Sequence, residues 1–365
     1  MTTAYRCWAE INLEAIRWNL WVLRSLVPSG VRIAAVIKAD AYGHGLPEIA
    51  RQLDRDADLF GVANLTEART IRSTGSQTPI LILGPALPEE RFCIVDEGFV
   101  PSVSTINEAA AYAKCARNRA PIHFVIDTGM GRIGVSEDEA DHAFRALREM
   151  PELRLVAVSS HLPVADEDED YTAEQLDRFR PLVNNACPGE GPATVLNSAG
   201  VIRFGRTAKP GDVVRTGLAL YGISPIPGFQ AHLQPAMTLK TRVVLVRWLG
   251  RGRSISYGRT FITSDRMKVA TLCAGYGDGV DRHLSGQETE VLIRGRRCRL
   301  LGRVTMDQMM VDVTHLDQVE PGDEAVLFGC QGNQEILASE LAAKAGTIAW
   351  EIFTGITKRV PRVYH

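Results

Sequence analysis

The chain has 365 residues, of which 45% are hydrophobic and 23% charged, and its formal net charge is -2. That is enough apolar material for a sizeable core, in a length that suits two domains or one large barrel with a smaller companion. Near-neutrality excludes a global field favouring nucleic acid, an anionic membrane or a strongly charged substrate, so recognition must come from a local site.

In chain order, the first residues reach Glu10 without an apolar stretch of signal-peptide length, and no run of about eighteen apolar residues follows anywhere. The seven cysteines show no CxxC or Cys/His metal spacing, and several (Cys93, Cys115, Cys273) sit in apolar runs. Reduced, mostly buried thiols and a cytoplasmic location are the expectation.

From residue 33 to about 221, short apolar runs alternate with amphipathic stretches. The runs are 33–37, 59–63, 80–83, 100–103, 122–126, 153–158, 193–196 and 213–221. Helix starts are legible at Asn64, Thr105, Ser136 and Thr172, each followed three residues later by Glu or Gln. That spacing satisfies free N–H groups of a first helical turn. The runs are rich in β-branched residues and each leads into a helix, as buried parallel strands do. Eight such alternations predict a closed (β/α)8 TIM barrel, an α/β fold, over about 12–234. A doubly wound open sheet is the competitor, but there is no GxGxxG at the first strand–helix turn.

After about residue 235 the pattern changes to strands at 238–249, 266–274, 290–293, 297–304, 309–313 and 324–328, separated by Gly-rich turns. Two helices are predicted at 336–345 and 348–356. This is a second, mostly β domain over 235–365, to which the first eleven residues can add a strand. The acidic run 166–170 reads as a solvated loop, because adjacent carboxylates cannot all face one ion.

In such barrels chemistry sits at the C-terminal ends of the strands. Strand one is followed by Lys38-Ala39-Asp40-Ala41-Tyr42-Gly43-His44-Gly45 and strand five by Asp127-Thr128-Gly129-Met130-Gly131-Arg132. Strand six ends in Ser159-Ser160-His161, strand seven in Asn197-Ser198-Ala199-Gly200, and strand eight carries Arg215-Thr216-Gly217. Polar side chains at five strand ends predict a site on one rim. A lysine directly after an apolar strand is desolvated, which lowers its pKa and frees the amine for carbonyl chemistry. The loops after strands seven and eight are where barrels bind phosphate, with Ser198, Gly217 and Leu218 in position. An imine-forming lysine beside a phosphate cradle suggests pyridoxal 5'-phosphate.

The segment Ala35-Val36-Ile37-Lys38-Ala39-Asp40-Ala41-Tyr42-Gly43-His44-Gly45 closely resembles the cofactor-lysine signature of alanine racemases. The resemblance continues through 127–134, Asn197-Ser198-Ala199, 215–222, Ser256-Tyr257-Gly258, Gly275-Tyr276-Gly277-Asp278-Gly279, 302–308 and Arg359-Val360-Pro361-Arg362, in the family's order. It implies a cytoplasmic isomerase that uses pyridoxal phosphate to interconvert L- and D-alanine, a precursor of peptidoglycan. It also implies a head-to-tail homodimer with shared active sites, and neither nucleic acid nor membrane as partner.

Carried over, Lys38 would hold the cofactor and act as one acid/base, and Tyr257 of the partner subunit as the other. Arg215 would sit at the pyridine nitrogen, with His161 connecting it to the phenol. Tyr42, Asn197, Ser198, Gly217 and Leu218 would hold ring and phosphate. Arg132 would contact the ring oxygen and the substrate carboxylate, and the partner's Tyr276, Met306 and Asp307 would line the entrance. Removing an α-proton from one face and returning it to the other needs two opposed groups, and Lys and Tyr tuned towards working pH suit that task. Arginine is almost never a proton donor, so Arg215 leaves the ring a weaker electron sink and discourages transamination and decarboxylation.

Two positions depart from the family. Many members carry a carbamate-modified lysine where this chain has Val125, so Arg132 must be oriented by something else, such as water or an anion. Where the family usually has a tyrosine at the phosphate, this chain has Lys358. Its ammonium either contacts phosphate or solvent with alanine still preferred, or alters the gate so that larger or acidic side chains enter. Two other readings compete. A pyridoxal-phosphate decarboxylase would place an acid, not Arg215, at the ring nitrogen. A non-catalytic cofactor carrier would not need a β domain carrying Tyr257.

Overall fold

The computed structural model describes residues 5–186 and 192–365, and these fall into two compact units. One spans Ile16–Ala41 and Gly45–Gln234; the other takes Met1–Ala15, Tyr42–His44 and Pro235–His365. Among the described residues, no helix is long and apolar enough to cross a membrane.

The first unit is the predicted barrel. Its strands are Arg32–Val36, Leu59–Val62, Ile80–Ile82, Val100–Val103, Ala120–Asp127, Leu153–Ser159, Ala193–Thr194 and Val213–Thr216. Each of the first six runs parallel to and pairs with the next, and the last returns to pair with the first at Val214↔Ile33. Between strands seven and eight the ladder is replaced by one bond, from the Arg215 N–H to the Leu196 carbonyl at 2.8 Å. The barrel is therefore nearly closed. Ala34, Ala35, Phe60, Ile80, Ile122 and Phe124 are all fully buried. Strands covered on both faces need continuous apolar runs, which is why the sequence shows runs there and not alternation.

The helix starts at Asn64 and Thr105 form as predicted, each side chain accepting the N–H of the glutamate three residues on. At Ser136 the roles reverse, and the Ser136 hydroxyl and N–H both donate to Glu139. Thr172 is not a start. The helix runs Glu169–Ala186, Asp168 accepts the Tyr171 N–H at 2.9 Å, and the Thr172 hydroxyl donates back to the Asp168 carbonyl. The acidic run is thus partly a helix cap, because carboxylates are favoured at a helix's positive end. The eighth apolar run is also shorter as a strand than its hydrophobicity suggested. Gly217, at φ -117° and ψ -94°, breaks it, and Leu218–Tyr221 form a 3-10 turn.

In the second unit six strands close a ring: Glu324–Gln331, Glu290–Ile293, Arg296–Leu301, Met309–Asp312, Met267–Leu272 and Met237–Leu249, the last pairing back to the first. Strand Cys7–Ile11 adds antiparallel to Met237–Leu249 and parallel to Arg362–Tyr364. The long strand Met237–Leu249 changes character along its length. Met237, Leu239, Thr241 and Val243 are buried in alternation, the register shifts between Val243 and Leu245, and Val244, Leu245 and Trp248 then face outward. Helices Ala338–Ala345 and Ala349–Gly355 follow within the predicted ranges. Two-residue strands Ser254–Ile255 and Phe261–Ile262, too short for a pattern search, form a hairpin whose turn carries Tyr257. All six described cysteines are free; Cys7, Cys273 and Cys298 are buried, Cys93 and Cys115 half-buried and Cys330 exposed.

Candidate active site

Lys38 follows the first barrel strand and the fully buried Ile37, and is itself half-buried. Burial first, and then the Arg132 and Arg215 guanidinium groups, pull its ammonium below the usual lysine range, while Glu67 opposes them. The four residues after it, Ala39 to Tyr42, all have φ between 52° and 54°. Left-handed turns of L-residues cost roughly 1–2 kcal/mol per residue, so surrounding bonds must hold this one. The Ala41 N–H donates to the Ile37 carbonyl and the Gly45 N–H to the Asp40 carbonyl, both at 2.9 Å. The Leu46 N–H donates to Asp40 Oδ1, and the Ala39 N–H to Glu67 Oε1, both at 2.7 Å. Tyr42 is buried in the β-rich unit, and burial pushes its phenol up to about 12.

Arg215, on the eighth strand, is 7% exposed. Its Nη1 donates to the Thr194 carbonyl at 2.5 Å, and Nη2 to the Ser160 carbonyl at 2.6 Å and to His161 Nδ1 at 3.2 Å. Because arginine only donates, His161 Nδ1 must accept and the ring proton sits on Nε2. Burial, followed by Arg215, Arg132 and Lys38, pushes His161 down to about 3, so the imidazole is neutral. Burial likewise brings Arg215 down to about 10. The Arg215 Nε–H has no acceptor among the described residues and is not among their enclosed, unpartnered atoms.

Arg132 is exposed, and no hydrogen bond to its guanidinium occurs among the described residues. Its placement comes from the backbone. Asp127 Oδ1 accepts the Gly129 and Met130 N–H groups at 2.9 and 2.8 Å. The Thr128 hydroxyl is 2.6 Å from the Ser160 hydroxyl and accepts from Gln175 Nε2 at 2.8 Å, while Arg178 donates to the Thr128 carbonyl. Val125, buried on the same strand, offers no polar atom to this network. Asn197 caps the helix Ser198–Phe204 and also donates to the Leu162 carbonyl. The Ser198 hydroxyl accepts the Gly217 N–H at 2.9 Å and the Ala219 N–H at 3.3 Å, joining the seventh and eighth loops around buried Leu218.

The remaining predicted residues lie in the β-rich unit. Tyr257 is 69% exposed, in a turn where Ser256, Gly258 and Arg259 all have positive φ. The Ser256 hydroxyl donates to the Arg303 carbonyl at 2.6 Å. Tyr276 and Met306 are exposed, and backbone bonds from Tyr276 to Thr305 and from Gly277 to Met306 tie their loops together. A Cβ at Gly275 would lie 2.2 Å from the Thr305 carbonyl oxygen, so only glycine allows this approach. Buried Asp278 accepts two bonds from Arg359, which also reaches exposed Asp307 at 2.8 Å. Lys358 is exposed in the neighbouring turn.

Three contributors escape motif reading. Glu67 looks like an ordinary helix-start glutamate, yet it reaches Ala39. Gln175 looks like a capping partner for Thr172, but it is fully buried and its amide donates to both Thr128 and the His161 carbonyl. Its available signal is an amide on the buried helix stripe Thr172, Gln175, Phe179, Val183. Asp278 is the third, visible only as the one acid in a Gly-rich motif.

Residues 11–225 match the family "Alanine racemase, N-terminal domain" and residues 236–364 "Alanine racemase, C-terminal domain". An alanine racemase of Symbiobacterium thermophilum is 42% identical, with 98% of this chain and 96% of that protein covered. One from Geobacter sulfurreducens is also 42% identical, with the same coverage. Among solved structures, the alanine racemase from Bacillus anthracis with bound L-Ala-P superposes with a TM-score of 0.88 at 34% identity, covering 100% of this chain and 96% of that one. That from E. faecalis gives 0.92 at 31% identity, with both chains fully covered. With both domain families matched in order over nearly its whole length, the chain belongs to the alanine racemase family.

Proposed function

We propose that this chain is a pyridoxal-phosphate-dependent racemase that interconverts L- and D-alanine. The observation that carries the reading is the barrel rim, where a half-buried Lys38 with a depressed pKa stands in the field of Arg132 and the fixed Arg215. Such a rim has surplus positive charge, an amine able to condense with an aldehyde, and in Arg215 an unspent Nε–H. That donor set suits a ligand with a carbonyl, a ring nitrogen and a phosphate.

In this reading Lys38 would hold the cofactor, Arg215 would sit at its ring nitrogen, and Tyr42, Asn197, Ser198, Gly217, Leu218 and Lys358 would hold ring and phosphate. When bound, the cofactor supplies an electron sink that acidifies the substrate's α-hydrogen. Arg132 orients the substrate carboxylate. Lys38 Nζ moves the proton at Cα on one face and the phenol oxygen of the partner's Tyr257 moves it on the other. Tyr276 of the partner subunit, the partner's Met306 and the partner's Asp307 frame the entrance. The supply of Tyr257 by a second copy is supported by its setting. It stands 69% exposed, and Leu245, Trp248 and Ile262 of the same unit are likewise open, at 45%, 51% and 51%.

Incubation with L-alanine in D2O tests the reading. Optical rotation should decay to zero while the α-position takes up deuterium, without release of CO2. Release of CO2 would instead mark a decarboxylase. Cofactor absorbance without deuterium uptake would mark a carrier. For substrate range, kcat/KM across a panel of L-amino acids in wild type and Lys358→Tyr is decisive. If alanine leads by orders of magnitude in both, Lys358 does not broaden selectivity.

A further inference from the structure

Glu67 occupies the third position of the helix Leu65–Ser73, whose cap is Asn64. A glutamate there ordinarily reaches back to the N–H of the cap residue itself. Here it does something else. Oε2 accepts the N–H of Ala63, at the end of the second barrel strand, at 2.8 Å, and Oε1 accepts the N–H of Ala39, after the first, at 2.7 Å. One carboxylate therefore bridges two neighbouring strand ends, and one of its two contacts is the peptide joined directly to Lys38. Ala39 is exposed, so water could have served its N–H. It is also the first of the four left-handed residues.

We propose that Glu67 is a positioning residue for Lys38: by clamping the Ala39 peptide at the entry to the left-handed turn, its carboxylate fixes the direction in which the lysine side chain leaves the barrel. This rests on the reading of Lys38 as the cofactor lysine. The geometry has an electrostatic companion. Arg132 and Arg215 act on Lys38 in one direction and Glu67 in the other, with neutral His161 adding no charge. Removing the carboxylate thus has two separable effects. The peptide loosens, and the amine loses the one opposing negative charge.

Cofactor-free protein is mixed with pyridoxal phosphate across a pH series, the product is fixed with borohydride, and the labelled lysine is located by mass spectrometry. In wild type, Lys38 should carry the label. In Glu67→Gln the pH midpoint for labelling should fall by about one unit, since an attractive carboxylate is gone. Above the midpoint, labelling should slow about tenfold in Glu67→Gln and also in Glu67→Asp, which keeps the charge but is too short to bridge. Amide hydrogen exchange in wild type supplies a reading that needs no variant, because the exposed Ala39 N–H should be protected well beyond its loop neighbours. Label on another lysine in wild type would overturn the cofactor reading itself. Label on Lys38 with an unshifted midpoint in Glu67→Gln and rates within twofold of wild type in both variants, or an unprotected Ala39 amide, would overturn the role of Glu67 alone.

Discussion

The barrel rim and the loop cluster around Tyr257 are both built from polar and aromatic side chains, but in opposite settings. At the rim, Arg215 is locked by two carbonyls and an imidazole, His161 is held neutral, and Lys38 is pulled towards its free amine. Around Tyr257 the fixed part is the backbone, through Ser256 to Arg303, Tyr276 to Thr305 and Gly277 to Met306, while the side chains project outward. The rim is tuned by burial within one chain. The loops instead fix their backbone and leave Tyr257, Tyr276 and Met306 exposed.

That contrast is most easily broken with one substitution on each side. Lys38→Ala should abolish the cofactor chromophore and lower racemisation by at least about a thousandfold in both directions. Tyr257→Phe should keep the chromophore, lose roughly 10²–10⁴-fold in turnover, and change unfolding free energy by no more than about 0.5 kcal/mol, as an exposed position should. A strongly destabilised Tyr257→Phe, or one that racemises normally, would erase the distinction. The two rim arginines sharpen it further. Arg215→Lys leaves the Thr194 and Ser160 carbonyls with poorer donors and should cost about 2–3 kcal/mol in urea unfolding. Arg132→Lys, exposed and without hydrogen bonds among the described residues, should be near neutral in the same assay while raising KM.

A further effect is one of pH. His161 has a folded pKa of about 3 against an ordinary value of 6.5. As pH falls below 6.5, the unfolded chain therefore takes up a proton that the folded chain refuses, and stability declines towards pH 3. His123, also buried and depressed to about 3, adds a slope of the same sign. In cofactor-free protein, His161→Gln should recover about 1–2 kcal/mol of the loss between pH 7 and pH 5 and leave pH 7–8 unchanged. An unchanged slope would mean that His161 is protonated in the folded protein.

The barrel was legible because eight parallel strands buried on both faces must be apolar throughout, and each must be followed by a capped helix. Errors fell where local signals competed. Thr172-Ala173-Glu174-Gln175 has capping spacing, but Asp168 had already begun the helix. Residues 213–221 are mostly apolar, but Gly217 turns the chain after Thr216. The hairpin carrying Tyr257 has strands of two residues, below the length at which any period shows.

Composition and residue order by themselves determined the two fold classes and which side chains lie at strand ends, because these follow from hydrophobic period and from the direction of a parallel strand. Only the tertiary structure decided that four L-residues after Lys38 turn left-handed, that Glu67 and Gln175 reach across loops, and that Arg215 spends two of its nitrogens on carbonyls. Those outcomes depend on groups distant in sequence meeting within about 3 Å, where hydrogen bonding outweighs local preference.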